Sequence, residues 1–433
     1  MRKEICTTMT IISPISNDET RSVTNPLLTV DIIHYNILTK LPAKSLLRFK
    51  SVCKDWYNFI NSSNFINIHL KHTLQSHDSC DFLVVSLITH VKDSTLFYTY
   101  LDAPDYTNGK CMEIETFQNY CRIVGSSNGL ICFKFLGSGF LLWNPVTREY
   151  SRLIKPPSLA RVTFSDVHYG FGYNVVGRDY KIVNIEFQYT TEYGLDCIIH
   201  VYSTNSNSWK EAQKYHNSVH KYADFGKSVI VNNKLHWIMV DNNPISRIQM
   251  ILMFDLHTEE LRKISYPTSL QRHAGCPLEL MVSRGRLCTL AAHYSFRSHH
   301  STASMWVMKD YGVVESWTIL YEVVGKKISS PQYFEIITHL SRNDSEEVLL
   351  LRLFNNEEPE LVWYNLENKS ITGKADDPAT QEYGGDKWVC IPSLAPIPGN
   401  DPNKRHTDLA IIDDIKKEVK LAFLAFDGEY HTE

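Results

Sequence analysis

Residues 37–56 read ILTKLPAKSLLRFKSVCKDW, and the rest of the chain can be read outward from them. The residue before a proline is pushed out of the α region, so Leu41 is expected to end a helix that begins near Asp31. Pro42 then opens the next helix, where its missing N–H is no loss. Apolar residues recur at Ile33, Ile37, Leu38 and Leu41, then at Leu46, Phe49, Cys53, Trp56 and Ile60. Spacings of three and four mark helical faces. Three short helical pieces in a unit of roughly 45 residues cannot hide all of these side chains among themselves. Part of that surface is expected to be covered by another polypeptide.

With the words NFI and NFINIHL that follow, residues 28–72 resemble the F-box, the helical module that docks F-box proteins onto a Skp-type adaptor in SCF ubiquitin ligases. Members usually open with a Leu-Pro pair, where Thr29 and Val30 stand here. The resemblance implies an adaptor-facing set of Ile37, Leu38, Leu41, Pro42, Leu46, Leu47, Val52, Cys53 and Trp56. The alternative is a helical hairpin laid on its own downstream domain.

The whole chain is balanced in charge, with 44 basic against 48 acidic residues and a net of −4, so no nucleic-acid footprint is implied. No run of 18 apolar residues stands in the sequence, so no membrane partner is expected. The N-terminal 20 residues lack a signal-type apolar block, and residues 1–26 read as a flexible extension. Ten scattered cysteines without a C-x-x-C pair suit buried free thiols in a reducing compartment, the cytoplasm with the nucleus left open.

After F-box-like residues 27–72 and a polar connector at 73–81, the character changes. From Phe82 to about Leu394, short runs such as FLVVSLI, KIVNIEF, LHWIMV and EVLLLRL alternate with Gly, Asn, Asp and Pro, the strand-and-turn signature. One word recurs five times: a strand with an aromatic near its end, Asn or Asp, a polar turn, then a charged or Trp-led strand. Its markers are Trp143, Tyr202, Phe254, Trp306 and Trp363, at intervals of 59, 52, 52 and 57 residues. Periods near 50 with four strands each fit kelch-type propeller blades, though the kelch double glycine is absent. Strands near 82–101 would make about six blades. An irregular β-sandwich is the alternative.

The words GSSNGLICF, LWNPVTRE, YGFGYN, FDLHTEELRKI and WVMKDYGVVESW resemble the F-box-associated domain of plant F-box proteins, a layout shared by S-locus F-box proteins. The fold class expected is therefore α+β in two domains, a three-helix F-box and an all-β propeller-like domain at 82–395. At 396–433 a C-terminal extension follows, in which Ile412, Ile415, Val419, Ala422 and Phe426 would share one face of an amphipathic helix.

Chemistry-bearing motifs are sparse. No phosphate-binding loop, H-E-x-x-H, EF-hand or G-x-S-x-G occurs. Gly170 and Gly172 form half of a dinucleotide fingerprint without its helix, better explained by a tight strand turn. His299 and His300 lie in SFRSHHSTAS, which reads as a loop without a metal-ligand spacing. No cofactor and no catalysis are expected. The resemblance implies a substrate-recognition subunit with a Skp-type adaptor, through it a cullin, and a protein substrate as partners; an S-locus F-box-type pollen factor of self-incompatibility, with an S-RNase as substrate, is the alternative of the same biochemistry, and a scaffold outside ubiquitin transfer or a propeller enzyme is the reading of another class.

Overall fold

The structure, a computed structural model, describes residues 32–75, 82–89, 94–101, 111–117, 121–135, 139–153, 167–189, 195–215, 223–241, 249–266, 270, 278–295, 300–324, 332–342, 345–354, 360–374 and 386–398. The expected N-terminal extension, Thr29, Val30, His299 and the amphipathic segment at 408–426 lie outside these residues.

Among the described residues, six antiparallel sheets form the β domain. Blade one joins Phe82–Thr89, Ser94–Leu101 and Cys111–Phe117 to Asp386–Cys390 from the other end of the chain. Blade two holds Cys121–Ser127, Leu130–Phe135, Phe140–Asn144 and Glu149–Leu153, and blade three holds Val167–Asn174, Asp179–Tyr189, Leu195–Ser203 and Ser208–Tyr215. Blade four carries a divided first strand, Ala223–Phe225 and Val229–Val231, before Lys234–Asp241, Gln249–Asp255 and Leu261–Ser265. Blades five and six span Leu278–Val324 and Gln332–Lys374. Sheets in this arrangement cover one another's faces and leave few open edges.

Apolar cores lie between successive blades. Val85, Leu87 and Cys390 meet Ile123, Phe133 and Trp143 between blades one and two. Phe140 and Leu142 meet Tyr169, Phe171 and Ile182 between two and three. The pattern continues through Ile199 and Trp237, Ile251 and Trp317, and Val307 and Val362. This successive face-to-face packing excludes the two-layer sandwich. Ring closure is made by Asp386–Cys390, whose register sets Cys390 opposite Leu83 and Asp386 opposite Leu87. Lys387 Nζ donates to Ser86 Oγ across that seam at 3.2 Å.

The five marker residues all fall in the third strand of their blades. The word that follows each of three markers is a turn with its own physics. Asn144 Oδ1 accepts from the N–H groups of Val146 and Thr147, Asp255 Oδ1 from His257 and Thr258, and Asn365 Oδ1 from Glu367 and Asn368. Asn and Asp are favoured where a side chain must replace a backbone partner in a turn. The turn then passes through a left-handed residue, Arg148 and Lys369 directly before the fourth strand and Glu259 two residues before it.

Gly170 and Gly172 sit within a strand, not in a turn. A Cβ at Gly170 would lie 2.5 Å from Trp237 Cζ2, and one at Gly172 would lie 2.6 Å from Ile230 Cδ1. Blade four presses so closely on blade three that no side chain fits there. The loop expected around His300 is also shorter than its composition suggested, because His300 already pairs with Ser295 at the start of a strand.

Candidate docking surface

The helical module begins with a π turn, Ile32–Ile37, and a 3-10 turn, Leu38–Lys40. Leu41 is extended at ψ 148 and Pro42 caps α1 (Ala43–Phe49), the break that its proline dictates. The Pro42 carbonyl accepts from Ser45 and Leu46. Cys53, extended at φ −157, starts α2 (Lys54–Ile60), and Ser62 Oγ accepts from Phe65 N–H at the start of α3 (Ser63–Gln75). Helix α3 therefore uses three residues that composition had given to the connector.

The π turn changes which residues face outward. Its repeat is five rather than four, so Ile33 and Leu38 point into the module while Ile32 and Ile37 are exposed. Reading Ile33 and Ile37 as one α-helical face had mixed the two sides. Ile33, Leu38, Ala43, Leu46, Ile60 and Phe65 form the core. His69 Nε2 donates to the Leu41 carbonyl at 2.8 Å, pinning α3 to the break before α1. Burial lowers the pKa of this ring and outweighs the opposing effect of its carbonyl partner, keeping it neutral. Phe59 stacks on His34 at 3.8 Å and leans on Phe65 at 4.9 Å.

The nine residues implied by resemblance divide accordingly. Leu38 and Leu46, at 1% and 0% exposure, hold the module's own helices together. Leu41, Leu47 and Trp56 lie half-buried along the margin of that core, with Trp56 edge-on to Phe49 at 5.6 Å. Val52 and Cys53 are half-buried at the α1–α2 corner, and Ile37 and Pro42 are exposed. Tyr35 and Tyr57, 44% and 42% exposed, join Ile32 and Ile37 as large apolar groups in contact with solvent. The apolar reading passed over both tyrosines, whose side chains carry a polar tip that tolerates water.

The module is not closed by its own residues alone. Leu394 belongs to its core and Val146 packs against it, both from the β domain. That domain presents here the ends of its blades where first strands turn into second strands and third into fourth. Hydrogen bonds run from turn to turn along this end: Tyr173 N–H to Ser127 Oγ at 3.2 Å, Val175 N–H to Asn233 Oδ1 at 2.8 Å, and Leu256 N–H to the Asn233 carbonyl at 3.1 Å. Lys181 Nζ lies 2.8 Å from Glu259 Oε1, with Lys210 on the other carboxylate oxygen at 2.9 Å. Burial alone would raise the Glu259 pKa, but the two lysines hold it below the usual carboxylate range. The opposite strand ends, where the chain passes from blade to blade, face away from the helices.

Among the described residues no three His, Cys, Asp or Glu side chains gather as metal ligands, and no helix is long and apolar enough to cross a membrane. Cys121, Cys132, Cys197, Cys288 and Cys390 are buried free thiols. Burial pushes Cys197, Cys288 and Cys390 up to about 12, far from the thiolate form a nucleophile needs.

A short helical module seated beneath a six-bladed ring defines an F-box protein with an associated propeller, and sequence comparison agrees. The F-box domain family matches residues 31–67, and the F-box associated beta propeller domain family matches residues 87–397. The chain belongs to this F-box-associated propeller family. It is similar to F-box protein CPR1 of Arabidopsis thaliana, 29% identical over 364 residues, covering 80% of this chain and 83% of that protein. F-box protein At4g22390 of the same plant is 28% identical over 361 residues, covering 79% of this chain and 84% of that protein. F-box/kelch-repeat protein At3g23880 is 28% identical over 303 residues, covering 67% and 78%.

Proposed function

We propose that this chain is the substrate receptor of an SCF-type ubiquitin ligase, working in the cytoplasm or nucleus. The observation that carries the reading is the apolar surface of the helical module. Ile37 and Pro42 are exposed, Leu41, Leu47, Val52, Cys53 and Trp56 are half-buried, and Ile32, Tyr35 and Tyr57 are exposed beside them. Apolar anchors of this kind gain by entering a partner's groove, and the F-box match makes a Skp-type adaptor the partner that fits, with a cullin behind it.

A protein substrate would then be held at the end of the ring away from the helices, beside the strand ends where one blade gives way to the next. The chain contributes no bond-making group in this mechanism. It raises the effective concentration of charged ubiquitin at the substrate's lysines, commonly to millimolar order for a short linkage. Titrating the full chain with a Skp-type adaptor tests the reading: saturable binding that Ile37→Asp weakens supports it, and absence of binding to the wild type refutes it.

A further inference from the structure

The closing strand ends at Cys390, and the chain continues through Ile391–Ile397 (IPSLAPI) beneath blade two. This segment is tied down by name. Ser393 Oγ donates to the Asn128 carbonyl at 2.7 Å and accepts from Ala395 N–H at 3.0 Å. Asn144 Nδ2 donates to the carbonyls of Ser393 and Ala395, at 3.2 and 2.8 Å. Gly129, at φ +82, allows the approach: a Cβ there would stand 2.5 Å from Ser393 Oγ. Successive side chains of an extended segment point to opposite sides. Ala395 and Ile397 enter the core between blades two and three, while Leu394 enters the core of the helical module, where it is 4% exposed.

We propose that Leu394, backed by Val146, is a positioning residue for the docking surface, so that the helices are held by the strap that closes the ring as well as by the connector after α3. The inference rests on the adaptor reading for its functional consequence and on the packing alone for its structural one. Leu394 lies in the module's core, apart from the exposed group of Ile32, Tyr35, Ile37 and Tyr57. It acts by holding the helices against the blade-two turn, so the surface keeps one orientation relative to the ring. Coupling of this kind is reciprocal: an adaptor that favours the seated helices also favours the seated strap.

The test uses the full chain, as wild type, Leu394→Ala, Leu394→Met and Val146→Ala. Hydrogen exchange in 43–75 should be faster by about tenfold or more in Leu394→Ala, the scale set by removing a buried leucine side chain. Exchange in 130–144 should hold, and Leu394→Met should restore the helices. Spin labels introduced as unnatural amino acids at Asn67 and Asn232 should give a narrow distance distribution in the wild type and a broad one in Leu394→Ala. Adaptor affinity should fall with it. Val146→Ala leaves the strap's own hydrogen-bonding groups in place, so it should loosen the helices even if Leu394→Ala disturbs ring closure. Unchanged helix exchange in Val146→Ala, or wild-type distances and exchange in Leu394→Ala, would overturn the inference. A wild type that binds no adaptor removes the functional reading, and the exchange and distance measurements still decide the structural one.

Discussion

Asn144 and Ala395 stand 251 residues apart in sequence, yet the Asn144 amide donates to the Ala395 carbonyl at 2.8 Å. The same side chain also donates to the Ser393 carbonyl and accepts from two N–H groups of its own turn. All four hydrogen-bonding positions of a fully buried asparagine are therefore used. Asn144→Leu strands two carbonyls and two N–H groups in a buried site, at a cost of about 3 kcal/mol or more. Asn144→Asp keeps the turn but removes both donors. In chemical denaturation the leucine variant should unfold first and the aspartate variant between it and the wild type. Equal midpoints for all three would show that the strap is not held by this residue.

Much of this architecture was legible beforehand, because its signals are local. The turn after Trp143, Phe254 and Trp363 needs a short acceptor side chain at one position, so Asn or Asp recurs there and the blade period shows through. The Leu41-Pro42 break follows from covalent geometry. Non-local facts were not legible. Whether Gly170 opens a turn or yields to Trp237 depends on a blade some 65 residues downstream, and the helical outward face depends on a π turn that no apolar spacing announces. Leu394 read as the last apolar residue of the β region; nothing nearby in sequence marks it as part of the helical core.

Ile37 and Trp56 separate docking from folding. Ile37 is 38% exposed and contributes little to the module's core, whereas Trp56 packs on Phe49 and borders that core. Ile37→Asp should weaken adaptor binding about tenfold or more while helical circular dichroism stays as in the wild type. Trp56→Ala should lose both affinity, by about 2 kcal/mol, and helical signal. Should Ile37→Asp bind as well as the wild type, the exposed side of the π turn is not the docking surface.

Cys53 offers a chemical probe of the same surface. It is half-buried at the α1–α2 corner, while Cys121, Cys132, Cys197, Cys288 and Cys390 are buried. A bulky maleimide should therefore modify Cys53 ahead of Cys121, Cys132, Cys197, Cys288 and Cys390, as read by peptide mapping. Prior saturation with adaptor should slow that modification. Equal rates with and without adaptor would place Cys53 outside the interface.

Gly170→Ala tests the packing between blades three and four. The added Cβ would meet Trp237 Cζ2 at 2.5 Å and Leu235 Cδ1 at 2.9 Å. Trp237 cannot easily retreat, since it is fully buried and its Nε1 donates to the Tyr169 carbonyl at 3.0 Å. Overpacking on this scale costs about 1–3 kcal/mol, and the denaturation midpoint should fall accordingly. Gly226→Ala, with nothing within 4 Å of the new atom, is the matched control and should be nearly silent.

Acid sensitivity follows from the buried imidazoles. His168 is lowered from 6.5 to about 3 by burial, with the Arg122 charge adding to it, and His236 from 6.5 to about 4 by burial above all. His236 Nε2 also meets Tyr311 Oη at 2.7 Å. Both rings are neutral in the folded chain, whereas the unfolded chain takes up a proton at each below pH 6.5. The unfolded state then binds more protons, so stability rises with pH through this window and is lost as pH falls from 6.5 toward 4. Each ring contributes a slope of up to about 1.4 kcal/mol per pH unit inside its own window. His236→Phe removes one titrating group, so its stability, though lower at neutral pH through the lost Tyr311 bond, should fall less steeply on acidification. Denaturation midpoints taken between pH 7.5 and 4.5 measure that slope directly, and a mutant slope as steep as the wild type's would show that His236 is not part of the acid response.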